Sequence, residues 1–520
     1  MEIVTLKNGL KIIFDENMNM RSASVNIYIG CGSRYEPEKY SGVSHFIEHM
    51  LFKGTLHRTC ADIAEQMDEI GGRLNAFTTK EYTCVYTQAL SYHIETALEV
   101  VLDMLLYSSF EEADINTEKG VICEEIGMYE DSPEDVCFDL MCSCIWPGTA
   151  LGRPIIGSRD TVNHLARNEI ISFMRDYYTP DNTVVSVSGK FDRQRIYDII
   201  QKFLGDALHS RYGNEHSVRP LLSESGTDLG SKNIGNFAGS HNAGVLKLKE
   251  LISKRPNKAF EPSAMADLKG KELLNSAEQT IAAAPSCSFT LGGDKNVLSH
   301  LPAAYATASF DDICPIFHSG ISLYNHDFEQ TNLIIAFPGL TVNDEAKYAA
   351  ALMSSIAGAS SSSRLNRRIR EELGMAYSIY SFHTSHIGAG VFGVSAGVSE
   401  SNQGSVIKET LKILLSLKTG ITESELNRAK QQLKASIAMS LESTSSRSSS
   451  FGQNLLIDGY VDSEDDVMSK IDAVTLEDVK LITNRIIDIK KVHIAVAGHT
   501  ETRNSHLRYF KGFNNCYILL

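Results

Sequence analysis

The 520-residue sequence has no run that approaches about 18 consecutive apolar residues, so we expect no transmembrane helix and no membrane partner. Its first residues lack the basic segment and apolar core of a secretory signal, and they are not the arginine-rich stretch of an organelle presequence. We therefore expect a cytoplasmic protein. No two cysteines have C-x-x-C spacing, which argues against a zinc ribbon or a thioredoxin-like site.

The ten cysteines are scattered along the chain, which favours free thiols in a reducing compartment over a disulfide framework. An excess of positive charge is also lacking, because the formal net charge is −15. Such a balance argues against nucleic acid as a partner and favours basic or neutral partners. At 520 residues the chain is too long for a single core, so we expect several domains.

The most informative feature that is present is an H-x-x-E-H motif. On a helix, His45 and His49 lie one turn apart on one face, so both imidazoles can reach one metal ion. Glu48 shares that face and can hold a water beside the metal. A turn and possible N-cap at 42–44 precede the motif, and residues 53–55 end the apolar helix. A chance match, expected in roughly a few chains per hundred, is the alternative interpretation.

A zinc site needs a third protein ligand in addition to two histidines. Glu118 and Glu125 are the best candidates, because seven residues are about two helical turns and place both on one face. Glu124 points roughly 100° away. One of the pair can bind the metal while the other supports a ligand from behind. The alternative is an exposed acidic helix face without a ligand.

Two parts of the chain show the same order of predicted elements. In each, a strand is followed by a helix at the position of the motif, and a buried strand closes the unit. We therefore predict an α+β fold with two duplicated halves, residues 1–205 and 311–500. The first half is predicted to have strands at 10–14, 24–29, 75–78, 83–87 and 183–188 and helices at 43–52, 60–70, 91–107, 111–130 and 161–178. The second is predicted to have strands at 333–337 and 492–498 and a helix at about 344–357.

The two halves are joined by an atypical stretch at 206–310, rich in glycine and polar residues. We predict a long, partly disordered insertion or linker, with a role in gating substrates as the alternative. A tail is predicted at 501–520. The second half has Ser354-Ser355-Ile356-Ala357 where ligands would be needed, so we expect it to bind no metal.

Together these motifs resemble those of the pitrilysin/insulinase family of inverted-zincin peptidases, and most closely bacterial relatives of the mitochondrial processing peptidase β subunit. The resemblance covers about 1–205 and 315–500. It rests on the segment from His45 to Thr55, on Glu125, and on the segments 71–78, 178–182 and 363–377. The long 206–310 insertion departs from the family pattern.

The resemblance implies a zinc metalloendopeptidase that hydrolyses peptides or unfolded presequence-like segments in a chamber between the facing halves. His45, His49 and Glu125 would hold one zinc ion per chain. Glu48 would be the general base on a zinc-bound water, and Glu118 an acid behind the ligands. The family also includes non-catalytic peptide-binding or assembly subunits, which is the alternative function. Such members lose one or more of these residues, whereas this chain keeps all of them.

The resemblance also implies roles in substrate binding and assembly. Asn75 and Ala76 would lie on an edge strand that pairs with the peptide backbone by strand addition. Arg370 and Tyr377 would act as catalytic residues that reach the substrate near the scissile bond. A surface arginine and a core tyrosine are the alternative interpretation. We also expect a homodimer or a heterodimer with a related subunit.

Two further acids are predicted to set selectivity. Asp135 and Asp139 are four residues apart and would share one face of a helix that starts at Pro133, with Asp131 or Ser132 as the cap. The resemblance implies that they receive an arginine near the cleavage site, so arginine-containing peptides are expected substrates. A solvated acidic helix start is the alternative.

Overall fold

The computed structural model describes residues 1–205 and 314–499, and all of them belong to one compact unit. The predicted insertion at 206–310 and the predicted tail at 501–520 lie outside the described residues. Within the described ranges, no helix has both the length and the apolar character needed to cross a bilayer. The eight cysteines in these ranges are free thiols.

The N-terminal half is a six-stranded sheet with helices packed on it. Its strands are β1 (Glu2–Thr5), β2 (Lys11–Glu16), β3 (Ser22–Ile29), β4 (Arg73–Thr78), β5 (Thr83–Leu90) and β6 (Thr183–Gly189). Its helices are α1 (Val43–Leu51), α2 (Cys60–Glu69), α3 (Ile94–Tyr107), α4 (Glu112–Glu130), α5 (Pro133–Ile145), α6 (Arg159–His164), α7 (Arg167–Tyr177) and α8 (Arg193–Ile200). The strand order is β1-β2-β6-β3-β5-β4, so β4 is an edge strand.

The C-terminal half repeats this arrangement. Its strands are β7 (Gly320–Asn325), β8 (Thr331–Pro338), β9 (Ala376–His386), β10 (Ala389–Val398) and β11 (His493–Gly498), in the order β7-β11-β8-β10-β9. Its helices are α9 (Lys347–Ser354), α10 (Gln403–Gly420), α11 (Glu423–Ser440), α12 (Thr444–Ile457), α13 (Glu464–Ala473) and α14 (Leu476–Ile486). The pair β7–β11 is parallel, as β2–β6 is. The prediction of two duplicated α+β halves is confirmed.

Each half lends a helix to the sheet of the other half. Helix α5 places Met141 and Ile145 against Ile334 and Ala495 of the C-terminal sheet. The reverse contact is made by α12, whose buried face packs on Tyr28 and Val184 of the N-terminal sheet. Because both faces of each sheet are covered, the closing strands β6 and β11 are buried at every position.

The predicted helix at 161–178 is wrong in one respect, because the structure has two helices there, α6 and α7. The chain is extended at Leu165 and Ala166, between them. The side chain of Leu165 is buried at this bend, and the carboxylate of Glu169 accepts a hydrogen bond from the backbone N–H of Ala166 at 2.9 Å. Burial of Leu165 and this local cap offset the lost helical hydrogen bonds.

The predicted helix at 344–357 also differs in part. Regular α-helix ends at Ser354, and a π-helical turn covers Ser355–Ala359. A second π-helical segment covers Asn366–Glu372. The conditional prediction of a helix from Pro133 is confirmed in α5, with Ser132 as the N-cap residue.

Candidate metal centre

Helix α1 carries the H-x-x-E-H motif and begins with an unusual cap. Gly42 is the N-cap residue, with a left-handed φ of 97° that favours glycine. No side chain at the cap itself satisfies the first helical N–H groups. Instead, the carboxylate of Glu36 accepts hydrogen bonds from the backbone N–H of Gly42 at 2.7 Å and of Ser44 at 2.8 Å. Burial raises the pKa of Glu36 to about 7, although these N–H donors oppose the rise.

The structure brings together the three predicted metal ligands, His45, His49 and Glu125. Nε2 of His45 lies 3.8 Å from Oε1 of Glu125, and Nε2 of His49 lies 3.4 Å from Oε2 of Glu125. One candidate ligand atom from each residue falls within 4.8 Å of the others. Burial, followed by the nearby charge of His49, lowers the pKa of His45 to about 4. His45 is therefore neutral at pH 7, the form that binds a metal.

These residues fit a zinc ion. Bonds of about 2.0–2.1 Å in tetrahedral geometry place neighbouring ligand atoms roughly 3.3 Å apart, close to the two separations above. Oε2 of Glu125 is buried and has no hydrogen-bond partner. A buried carboxylate oxygen without a donor is costly, and a cation among the three side chains would satisfy it.

Glu118 lies on α4 and contacts His49 on the side of the imidazole opposite to Nε2. Its side chain is 3% exposed, and its Oε1 accepts a hydrogen bond from Nδ1 of His49 at 2.9 Å. Since an ionised carboxylate can only accept, this bond fixes the proton on Nδ1 and leaves Nε2 free to bind a metal. Oε2 of Glu118 lies 2.5 Å from Nζ of Lys53.

Glu48 is held on the same side of α1 by the sheet. Its Oε2 accepts a hydrogen bond of 2.6 Å from the hydroxyl of Thr78, at the end of β4. Burial raises the pKa of Glu48, while Thr78 and His49 partly offset the rise and Glu125 adds to it. The carboxylate is thus oriented from one side and retains capacity to accept a proton.

The predicted substrate residues Asn75 and Ala76 lie on β4, the edge strand beside α1. In the described part of the chain, β4 pairs with β5 on one side only. Asn75 is exposed and Ala76 is buried, so successive side chains of β4 point to opposite faces of the sheet. The main chain of β4 is positioned to accept another strand.

Asp135 and Asp139 lie on the first two turns of α5, four residues apart. Asp135 is exposed and Asp139 is half-buried. Burial raises the pKa of Asp139, with Lys80 opposing and Asp135 adding to the rise. The pKa of Tyr129 is raised by burial first and then by the charges of Glu125, Asp135, Asp139 and Glu48. The structure therefore groups these acids around Tyr129.

Arg370 and Tyr377 lie in the C-terminal half, in the second π-helical segment and at the start of β9. Both are exposed, and Tyr377 is 71% exposed. Among the described residues, neither side chain hydrogen-bonds to Glu48 or to the three candidate ligands. The alternative interpretation of Tyr377 as a core residue is wrong, because this side chain is exposed.

The C-terminal half has small hydroxyl side chains on α9, the helix that corresponds to α1. Ser354 is buried, and its Oγ lies 2.9 Å from Oγ of Ser381 on β9. The hydroxyl of Ser381 also donates to the backbone carbonyl of Ser354 at 2.8 Å. These groups satisfy one another through hydrogen bonds within the half.

Comparisons with known proteins agree with this geometry. Residues 11–159 match the family described as "Insulinase (Peptidase family M16)", and residues 164–230 and 295–433 match "Peptidase M16 inactive domain". The chain is 32% identical over 484 residues to the "Uncharacterized zinc protease YmxG" of Bacillus subtilis, which covers 93% of this chain and 94% of that relative. The protein belongs to peptidase family M16, the insulinase or pitrilysin family.

Another relative is similar in sequence, and two solved structures have a similar fold. An "Uncharacterized zinc protease" of Rickettsia felis is 28% identical, over 93% of this chain and 94% of its own length. A protease from Helicobacter pylori has a similar fold, with a TM-score of 0.70 at 18% identity, over 96% of this chain and 99% of that one. A peptidase M16 inactive domain from Pseudomonas fluorescens has a TM-score of 0.72 at 16% identity, over 96% and 98%.

Three contacts of the site were not predicted from the sequence. Thr78 was included in a motif without a role, yet it holds Glu48. Lys53 lies in the motif segment from His45 to Thr55 and at the predicted end of the apolar helix, but neither observation predicts its contact with Glu118. Glu36 gave no signal, because a capping carboxylate from outside the helix follows no fixed spacing.

Proposed function

We propose that this protein is a zinc metalloendopeptidase that binds one zinc ion through His45, His49 and Glu125. The observation that carries the proposal is the convergence of two imidazole nitrogens and one buried, unpartnered carboxylate oxygen, on the helix that also carries Glu48. When bound, zinc supplies a Lewis acid that polarises a peptide carbonyl and lowers the pKa of a water. Relatives named as zinc proteases support the proposal.

The residues of the chain perform the proton transfers in this proposal. Glu48 takes a proton from the attacking water and delivers it to the nitrogen of the leaving amine. Thr78 keeps one oxygen of Glu48 in place, so that the other is available for the proton. Glu118 keeps His49 in the tautomer that exposes Nε2.

Substrate binding is proposed to occur by strand addition along β4. Main-chain groups of Asn75 and Ala76 would pair with an extended peptide, which explains how unfolded segments of differing sequence could bind. Asp135, with Asp139 behind it, would favour an arginine near the scissile bond. Because Lys80 lies near Asp139, the exposed Asp135 contributes more of the attraction.

Arg370 and Tyr377 are proposed to contact the substrate in the assembled enzyme. Their exposure and their place outside the candidate metal centre of the same chain favour an assembly with a second subunit, as either a homodimer or a heterodimer. Arg370→Ala or Tyr377→Phe should lower kcat/KM while zinc content stays unchanged. Unchanged kinetics in both variants would assign these residues to structure.

The test compares Glu48→Gln with the parent on a quenched-fluorescence peptide library. Glutamine cannot accept the proton, so turnover should fall by about 10²–10⁴-fold while zinc content is unchanged. Glu124→Gln is the matched control, since Glu124 is an exposed acid on the same helix as Glu125, and it should retain activity. Near-normal turnover by Glu48→Gln would refute the proposed base. A parent without cleavage at any peptide bond would favour the alternative of a non-catalytic peptide-binding subunit.

A further inference from the structure

Lys53 is the one cation in direct contact with Glu118 among the described residues. Its Nζ lies 2.5 Å from Oε2 of Glu118, and the opposite oxygen of the same carboxylate accepts the Nδ1–H of His49. Glu118 is only 3% exposed, while Lys53 is 31% exposed. A carboxylate buried to this degree is unstable as an anion without a cation or donors on both oxygens.

The backbone on both sides of Lys53 is fixed. Lys53 donates its N–H to the carbonyl of Met50 at 3.1 Å and so continues the last turn of α1. Gly54 follows with a φ of 120°, a conformation that only glycine adopts readily, and it ends the turn. Lys53 thus projects from the same helix end as His49, four residues further along, toward α4.

Helices α1 and α4 therefore contact each other through two sets of polar side chains. The first set is the candidate metal centre, where His45 and His49 lie close to Glu125. The second set is formed by Glu118 with Lys53 and His49, and its contacts form without a metal ion. Glu118 and Glu125 are two turns apart on α4, so fixing the first also fixes the register of the second.

We propose that Lys53 is a positioning residue that organises the metal site before zinc binds. By holding Glu118, it fixes the imidazole of His49 with Nε2 toward Glu125 and aligns α4 with α1. Zinc then binds to a preformed set of ligands, and little free energy is spent on ordering them. This inference rests on the proposed zinc function and deepens it.

The test measures the zinc dissociation constant by chelator competition in Lys53→Met, which removes the charge but keeps much of the side-chain volume. We expect zinc to bind about 10–100-fold more weakly, the usual effect of losing a group that supports a ligand from behind. Lys53→Arg should retain most of the affinity, because it keeps the cation. A dissociation constant for Lys53→Met within about twofold of the parent would overturn the proposal.

The chain offers a matched control in Lys347→Met. Lys347 is 34% exposed and pairs with Asp458, which is 13% exposed, at 3.4 Å in the C-terminal half. Removing this cation should leave the zinc dissociation constant unchanged. An equal loss of zinc affinity in both variants would show a general effect on stability and would refute a specific role for Lys53.

A double-mutant cycle tests whether Lys53 acts through Glu118. Glu118→Gln alone should weaken zinc binding, and adding Lys53→Met should cause little further loss. Independent losses that multiply would contradict the proposed route through Glu118. A parent that binds no zinc would refute the proposed function itself, whereas tight binding unaffected by Lys53→Met would refute only this inference.

A measurement on the parent covers the case in which Lys53→Met fails to fold. In the zinc-free protein labelled with ¹⁵N-histidine, the NMR spectrum should show His49 protonated at Nδ1, because Glu118 is already in place. Protonation at Nε2, or an equal mixture of the two tautomers, would overturn the proposal that the site is organised before metal binding.

Discussion

The two halves of this protein share a strand order but differ in one pair of corresponding helices. These are α1, which follows β3, and α9, which follows β8. In the N-terminal half that helix, α1, presents two histidines and an acid to α4. In the C-terminal half, α9 ends at Ser354, and its hydroxyl is satisfied by Ser381. The fold alone therefore does not provide a candidate metal centre; His45 and His49 on α1 and Glu125 on α4 do so.

The halves also differ in the helices that they exchange. Helix α5, from the N-terminal half, begins with the acids Glu134 and Asp135, and the charges of Asp135 and of the candidate ligand Glu125 both act on Tyr129. Its counterpart α12 begins with small polar residues and Arg447, which forms an ion pair with Asp15 at 2.6 Å. Both exchanged helices pack on the sheet of the opposite half, but α5 also carries acids, whereas α12 carries an arginine in an ion pair with that half.

Loss of a buried contact on an exchanged helix should produce the largest effect. Met141 on α5 and Leu455 on α12 are buried against the sheet of the opposite half. Replacing either with alanine should lower the unfolding free energy by about 2–5 kcal/mol. Both variants should still unfold in a single transition, measured by calorimetry and denaturant titration.

The exposed Met439→Ala, on α11, is the control and should leave the unfolding free energy nearly unchanged. Two separate transitions in Met141→Ala would show that the halves fold independently. The exchange of helices would then not couple them.

Low pH should weaken a second contact between the halves, in which the β4–β5 turn meets the β9–β10 turn. Glu81, between β4 and β5, accepts hydrogen bonds from Arg34 at 2.6 Å and from the N–H of Ile387 at 2.8 Å. Burial alone would raise its pKa, but His386, Arg34 and Ile387 together lower it from 4.5 to about 2. The stabilisation is therefore present above pH 4.5 and is lost as the pH falls from there toward 2.

Glu81→Gln should thus reduce the unfolding free energy by about 3 kcal/mol at pH 7, and the difference from the parent should shrink below pH 4.5. Urea titrations across that pH range measure the difference. Glu372→Gln, at an exposed acid paired with Arg368, serves as the control. A constant difference between parent and Glu81→Gln at all pH values would contradict the lowered pKa.

The smallest effect concerns selectivity at α5. Among peptides that differ only in having Arg, Lys, Gln or Leu before the scissile bond, the parent should prefer Arg. Asp135→Asn should reduce that preference by about 0.5–1 kcal/mol, because an exposed carboxylate gains little from ion pairing. Asp139→Asn should have a smaller effect, and the double variant should erase the preference.

Added salt should weaken the preference for arginine in the parent, since exposed charges are screened. Arg447→Gln on the corresponding helix α12 should leave the preference unchanged. A flat profile in the parent would assign Asp135 and Asp139 to surface charge alone.

The sequence predicts much of the fold because local patterns determine it. The alternation of apolar and polar residues in β3 and the apolar run in β6 both indicate strands. Similar patterns in β8 and β11 indicate duplication. The exchange of α5 and α12 was not predicted. An apolar face shows that a helix is covered but not which sheet covers it.

The same distinction applies to the site. Residues on one helix, such as His45 and His49, are linked by spacing, and the structure brings them together with Glu125. The contacts of Thr78 and Glu36 depend on how distant segments pack, so spacing carries no information about them. The bend at Leu165 was missed for the same reason, because tertiary burial overrides local helical preference.

The central claim is that only the N-terminal half holds a metal ion, and zinc stoichiometry tests it most directly. Elemental analysis of the purified parent should give one zinc per chain, and His49→Ala should give none, because a ligand is lost. Ser354→Ala, at the corresponding helix of the C-terminal half, should still give one. Two zinc ions per chain in the parent, or one zinc retained in His49→Ala, would contradict the account.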